Sequence, residues 1–301
     1  MQANTATMAT PSNLKTAPQF QRSRGHWANV ALRLLRNPAA MIAASVVLAL
    51  IVMALAAPWL MPADPYATSM FARLKPIGTA GALLGTDELG RDMLSRLMLG
   101  ARLSLFIGIT PVLLAFVIGG GIGIVAGYAG GFVNTVIMRT IDVLYAFPSV
   151  LLAIALSGAL GAGLVNALIS LTIVFIPQIA RIAESVTTQV RRSDYVDAAR
   201  ASGAGAFTIV RFHVLGNVLG PIFVYSTSLI AVSMILASGL SFLGLGVKPP
   251  EPEWGLMLNT LRGAIYTQPW VAALPGVFIF ITSISFNVLS DGLRSAMEVK
   301  Q

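Results

Sequence analysis

Long apolar runs separated by short polar segments dominate the chain. Taking about 20 apolar residues as one bilayer crossing, runs near Met41–Leu60, Leu103–Ala126, Val136–Leu156, Leu164–Ala183, Pro221–Leu243 and Trp270–Leu289 predict six transmembrane helices, an all-α membrane protein. An even number of crossings returns both ends to one side. Lys15, Arg22, Arg24, Arg33 and Arg36 precede the first run and place that side in the cytoplasm. With this alternation, thirteen of the 20 Lys/Arg fall on inward segments and seven on outward ones. The bias is moderate because Arg91, Arg96 and Arg102 lie outward, beside Asp87, Glu88 and Asp92, with which they can pair locally.

The segments between the runs divide the chain. Residues 1–38 form a cytoplasmic tail, 39–61 the first span, 62–102 an outward loop, 103–291 a core of five spans, and 292–301 a cytoplasmic tail. Residues 1–30 are rich in Thr, Ala, Ser, Gln and Asn and show no helical apolar period, which predicts disorder. The first apolar run begins too far into the chain for a signal peptide, so it is expected to stay as an anchor. In the outward loop, Thr86 or Asp87 is placed to cap an amphipathic helix with Met93, Leu94, Leu97 and Met98 on its apolar side, lying on the outer membrane face. A second outward segment, Phe242 to Gly255, is stiffened by Pro249, Pro250 and Pro252, and Trp254 suits a membrane–water boundary.

Composition agrees with this partition: 56% of residues are hydrophobic, 11% charged, and the mean hydropathy is +0.79. That is more apolar surface than one soluble core buries. Cysteine is absent, which excludes disulfides, thiolate metal sites and cysteine nucleophiles. His26 and His213 are the two imidazoles and are far apart in sequence, a poor basis for a metal site. The net charge of +8 is spread along the chain without interleaved aromatics, so anionic lipid accounts for it better than nucleic acid.

The inward loop of residues 187–217 carries the most pattern. Ser193 or Asp194 can N-cap a short helix, Tyr195 to Ser202, with Asp197 in its first turn and Gly203 where a left-handed terminator belongs. Ala198, Ala199, Ala201 and Ser202 give that helix a slim surface which another protein's groove can approach closely. A second helical stretch, Ala206 to Leu215, has Phe207, Ile209, Val210 and Val214 as its apolar side.

The sequence DAARASG, Asp197 to Gly203, resembles the Glu-Ala-Ala-x-x-x-Gly pattern of ABC importer permeases. Asp197 stands for the usual Glu, and Gly216 stands where that pattern has Pro, after His213-Val214-Leu215. GTDELGRD, AGYAGG, DVLYAFPSVLLAIAL, ASGLSFLGLGVKPPEPEWG and FNVLSDGLR are similar to the dipeptide, oligopeptide and nickel branch, in its C-type permease. The resemblance runs from about Arg36 to Arg294. It implies a type I importer fold in a bacterial inner membrane, with a loop comprising Asp197, Ala198, Ala199, Gly203, Val214 and Leu215 that docks an ATPase. The implied partners are a second permease, two cytoplasmic ATPase subunits and an extracytoplasmic binding protein. The resemblance also implies that ATP and Mg are bound by the ATPases, with no cofactor or metal in this chain. Consistently, none of Lys15, Lys75, Lys248 and Lys300 has a P-loop context.

Two other classes compete. An ion-coupled secondary transporter needs ionisable groups within the membrane, for which Asp142 and Glu184 are the candidates. Each follows an arginine by three residues, Arg139 and Arg181, so local surface pairing is expected instead. An intramembrane hydrolase would need a serine–histidine pair using His213 or a second intramembrane aspartate beside Asp142.

Overall fold

A computed structural model describes residues 26–297, and within them the chain is helical with no strands. The helices are α1 (His26–Leu35), α2 (Pro38–Leu60), α3 (Met93–Ala129), α4 (Gly131–Tyr145), α5 (Ser149–Leu160), α6 (Leu164–Arg191), α7 (Asp194–Ala201), α8 (Ala206–Ile209), α9 (Leu215–Phe242), α10 (Trp254–Thr260) and α11 (Pro269–Met297). A π-helical stretch, Val210–Val214, joins α8 to α9, so the chain is helical from Ala206 to Phe242. Five helices are long and apolar enough to cross a membrane, and α4 with α5 makes a sixth crossing if their 84° bend is counted as one broken span.

Each predicted span has a helical counterpart, with revised limits. The break in the third, between Tyr145 and Ser149, follows from Pro148. Proline has no N–H to continue the ladder and disfavours helical backbone at Phe147 before it. Residues 1–25 and 298–301, including most of the expected disordered tail, Lys15 and Lys300, lie outside the described residues. From His26 that expectation is corrected: α1 is helical, with Val30 buried, and packs on α11 and α2. Its apolar period is confined to ten residues and is diluted in a longer window. Asn37 then caps α2, its side chain accepting from Ala40 N at 3.2 Å, with Pro38 in the first turn.

The centre of the bundle is α3 against α6, with α9 packed on both and α11 joining α9 to α2. The α3–α6 approach is set by Gly119, Gly123 and Gly127, four residues apart on one face. A Cβ at these positions would run into the carbonyl oxygens of Ile176, Ala180 and Glu184 respectively. In lipid, where apolar surface gains little from being hidden, such close backbone packing holds helices together. Along α4 and α5, Val143, Tyr145, Phe147, Val150 and Leu151 are exposed.

The amphipathic helix expected on the outer membrane face is absent as a separate element. Its residues are the first turns of α3, and Met93, Leu97 and Met98 are buried within the protein, Met93 N donating to Gly85 O at 3.1 Å and Leu97 O accepting from Trp254. The cap is Asp92, whose Oδ2 accepts from Ser95 N and Ser95 Oγ, both at 2.7 Å, in place of Thr86 or Asp87. Thr86 instead ties the loop, accepting from Lys75 N at 2.9 Å and donating to Ala72 O. Asp87 is a hub: Oδ1 accepts from the backbone of Leu89 and Arg91 at 2.9 Å each, and Oδ2 pairs with Arg91 Nε at 2.7 Å and Arg96 Nε at 3.3 Å. Arg96 also donates to Pro65 O at 3.0 Å and to Pro250 O at 3.4 Å, pinning both outward segments to α3.

Trp254 is another correction. It is fully buried, with its indole N–H donating to Leu97 O at 3.0 Å, so it plugs the outer loops onto α3 and does not sit at a membrane boundary. Glu253 beside it is 1% exposed and caps α10, accepting from Gly255 N and Leu256 N at 2.8 Å each. Burial pushes its carboxyl above the ordinary carboxylate range, opposed by those two backbone N–H groups.

Candidate functional site

The inward segment is a short helix held between two long ones. Two residues, Arg192 and Ser193, connect α6 to α7, and four, Ser202 to Gly205, connect α7 to α8. Ser193 occupies the N-cap position, its carbonyl accepting from Val196 N at 2.9 Å and Asp197 N at 3.2 Å, without a side-chain cap bond. At the other end Gly203 is left-handed, with φ of +83°. Gly203 N donates to Arg200 O at 2.9 Å and Ala204 N to Ala199 O at 3.1 Å, the paired bonds of a Schellman terminator. A side chain at Gly203 meets no neighbour but would strain the backbone.

One face of α7 is inside and the other open. Val196 is fully buried and Ala199 half-buried against the core, whereas Asp194, Asp197, Ala198, Ala201 and Ser202 are exposed. The open face is therefore two carboxylates at the N-terminal end, favourable to the helix dipole, followed by small side chains. Asp197 is met on the surface by Arg200 Nη1 at 2.8 Å. The Arg200 guanidinium also lies 6.0 Å from the Tyr128 ring centroid, linking α7 to the end of α3.

The link to α9 is direct. Asn217 Nδ2 donates to Tyr195 Oη at 3.0 Å and to His213 O at 2.8 Å, and the Tyr195 and His213 rings sit 6.4 Å apart. Val214 is fully buried and Leu215 half-buried at the start of α9, so of these two expected docking residues only Leu215 is partly open to the surface. Gly216, which stands where the pattern has Pro, lies in the first turn of α9. On the second helical stretch, Ile209 is buried as expected of the apolar face, whereas Phe207 is exposed. Arg200, Tyr195 and Asn217 were missed in the sequence. The spacing of Asp197 and Arg200 was a readable signal, while the Tyr195–Asn217 bond spans 22 residues and was not.

A polar cavity of about 620 Å³ lies behind α7, lined by residues including Asn134, Glu184, Arg191, Asp197 and Arg200. Glu184 accepts from Asn134 Nδ2 at 2.7 Å and Thr188 Oγ1 at 3.1 Å, and its expected pair with Arg181 does not form. Arg181 pairs across helices with Asp142, which Arg139 also approaches at 3.9 Å. Asp142 is thus held between two arginines, one on its own helix and one on α6. Among the described residues no group of three or more His, Asp or Glu could hold a metal.

The helical core with one short helix exposed between two long ones is that of a multi-pass membrane protein, and the comparisons give its family. Residues 119–300 match the binding-protein-dependent transport system inner membrane component family, and residues 25–76 match the N-terminal transmembrane domain of oligopeptide transport permease C. The chain belongs to this family of multi-pass inner-membrane ABC transport permeases. It is 41% identical over 277 residues to a glutathione transport system permease of Pectobacterium atrosepticum, covering 92% of each chain. It is 42% identical over 252 residues to a di/tripeptide transport system permease of Pseudomonas aeruginosa, covering 82% of this chain and 83% of the relative. A putative peptide transport system permease of Brucella abortus is 39% identical over 268 residues, covering 89% and 90%. In fold, the chain is similar to the inward-facing MetNI methionine ABC transporter, with a TM-score of 0.55 at 18% identity, over 68% of this chain and 97% of that one.

Proposed function

We propose that this chain forms half of the pathway of an ATP-driven importer of small peptides, and that α7 is the helix a cytoplasmic ATPase receives. The observation that carries the reading is the geometry of α7: small residues outward, an apolar underside packed on the core, and connections of two and four residues to α6 and α8. A push on such a helix moves α6 and α9 with it. ATP binding closes the ATPase pair, α7 is displaced, and the attached spans tilt to open the pathway outward, a rigid-body transition reset by hydrolysis. The chain itself is not an enzyme, and ATP and Mg belong to the ATPase subunits. Alternation of six crossings, with α7 cytoplasmic, puts both termini in the cytoplasm and the loops of residues 61–92 and 243–268 outside, where a binding protein delivers cargo. The exposed apolar flank of α4 and α5 suits a second permease.

The relatives' names, glutathione, di/tripeptide and peptide permeases, support a peptide cargo. The test is uptake of trialanine by cells carrying the complete transporter, together with co-purification of the cognate ATPases. Gly203→Pro and Asp197→Arg should each abolish both, the first by breaking the helix end and the second by placing a bulky cation on the docking face. Retention of uptake and assembly in both variants would contradict the docking role.

A further inference from the structure

Cations on the outward side of a membrane protein run against the charge bias of such chains and invite a specific explanation. For Arg91 and Arg96 that explanation is Asp87, which pairs with both in a buried cluster. Arg102 and Lys248 are different. Both are exposed, and neither side chain has an ion-pair or hydrogen-bond partner among the described residues. Arg102 stands one and a half turns beyond Arg96 on α3, and Lys248 comes from the segment after α9. Together they line a cavity of about 660 Å³, closed on a third side by the connection between α5 and α6 at Ala162 and Gly163. This size lies within the roughly 300–1,000 Å³ of small-ligand sites.

The same cavity contains one carboxylate. Glu251 is half-buried, and Tyr66 Oη donates to its Oε2 at 3.1 Å, which fixes its orientation without neutralising it. No ion pair within the cavity joins Glu251 to Arg102 or Lys248. Two uncommitted cations and one oriented anion therefore face a common space from separate elements. A short peptide with free ends offers the matching charges: a carboxylate at one end and an ammonium at the other. Guanidinium binds carboxylate through paired N–H donors, and a carboxylate held at one oxygen still accepts from ammonium.

We propose that this outer cavity is a receiving site for the charged ends of a short peptide, Arg102 and Lys248 taking the carboxylate and Glu251 the ammonium. The proposal rests on the peptide-importer reading and deepens it by giving this chain a hold on cargo separate from that of the binding protein.

The experiment measures trialanine uptake and binding-protein-stimulated ATP hydrolysis by the complete transporter reconstituted in liposomes. Three permeases are compared: wild type, Arg102→Gln/Lys248→Gln, and the charge-keeping Arg102→Lys/Lys248→Arg. The neutral pair should lower uptake about tenfold or more, as expected for losing charged hydrogen bonds, with stimulated hydrolysis retained. The charge-keeping pair should retain most uptake. Unchanged uptake in the neutral pair would overturn the proposal. So would a parallel loss of uptake and stimulated hydrolysis, since that makes the cations a contact for the binding protein. A wild-type transporter that hydrolyses ATP but takes up no trialanine would instead refute the peptide reading, and this site with it, before any variant is measured.

Discussion

Two charged clusters of this permease, one at the start of α3 and one on α7, are built in opposite ways. At the start of α3, Asp87, Arg91 and Arg96 are buried and tied to backbone and to one another, and Glu253 is buried and tied to backbone at the start of α10, so the segments that precede these helices are stapled down. On α7, Asp194, Asp197 and Arg200 are exposed on a helix whose small residues are also exposed. Buried charges are costly to orphan and so hold a shape, whereas exposed ones contribute little to shape and stay available to a partner. The contrast separates a buried clasp from an exposed handle.

The sharpest way to break this contrast is Asp87→Ala, which leaves Arg91 and Arg96 buried without their carboxylate. Removing one partner of such a network costs about 3–5 kcal/mol. The purified permease should melt much earlier, and a melting temperature equal to wild type would show the outer cluster to be incidental. Gly203→Ala comes next. Placing a Cβ at φ of +83° costs about 1–2 kcal/mol, so α7 should lose its terminator and ATPase co-purification should weaken while the melting temperature moves little.

Glu253 sharpens the outer half of the comparison through pH. Because folding raises its carboxyl above the ordinary 4.5, the folded chain holds that proton more tightly than the unfolded chain. Its contribution is full below the ordinary value and is lost as pH rises through the raised one. Glu253→Gln removes this dependence, so the variant's melting temperature should fall less than wild type's on going from about pH 4 to about pH 8. Parallel curves would contradict the assignment. The smallest effect is expected from Asp197→Ala: breaking its surface pair with Arg200 should change stability by only about 0–1 kcal/mol. A loss comparable to that of Asp87→Ala would mean that the handle is part of the fold.

Among the described residues, hydropathy was enough to find the five unbroken spans and the bent α4–α5 pair, because a span is a local property of about 20 residues. The short helix was also local: Ser193, the alanines and Gly203 carry its start, surface and stop within a dozen positions. What escaped was the way distant segments meet. Met93, Leu97 and Met98 read as a helix on lipid because a local apolar pattern does not say whether protein or lipid covers it, and here the residues are buried within the protein. Trp254 read as a boundary residue for the same reason, its partner Leu97 being 157 positions away. Val214 and Leu215 were placed on the docking surface by the motif's register, whereas packing turns Val214 fully and Leu215 partly inward.

The absence of native cysteine makes one measurement direct. Single cysteines at Ala198, on the open face of α7, and at Val196, on its buried face, are to be labelled with a maleimide from the cytoplasmic side, with and without the cognate ATPases bound. If α7 is the docking helix, Ala198→Cys labels readily in the permease alone and is protected once the ATPases assemble, while Val196→Cys stays unreactive in both. Labelling of Ala198→Cys that is unchanged by the assembled ATPases would contradict the account.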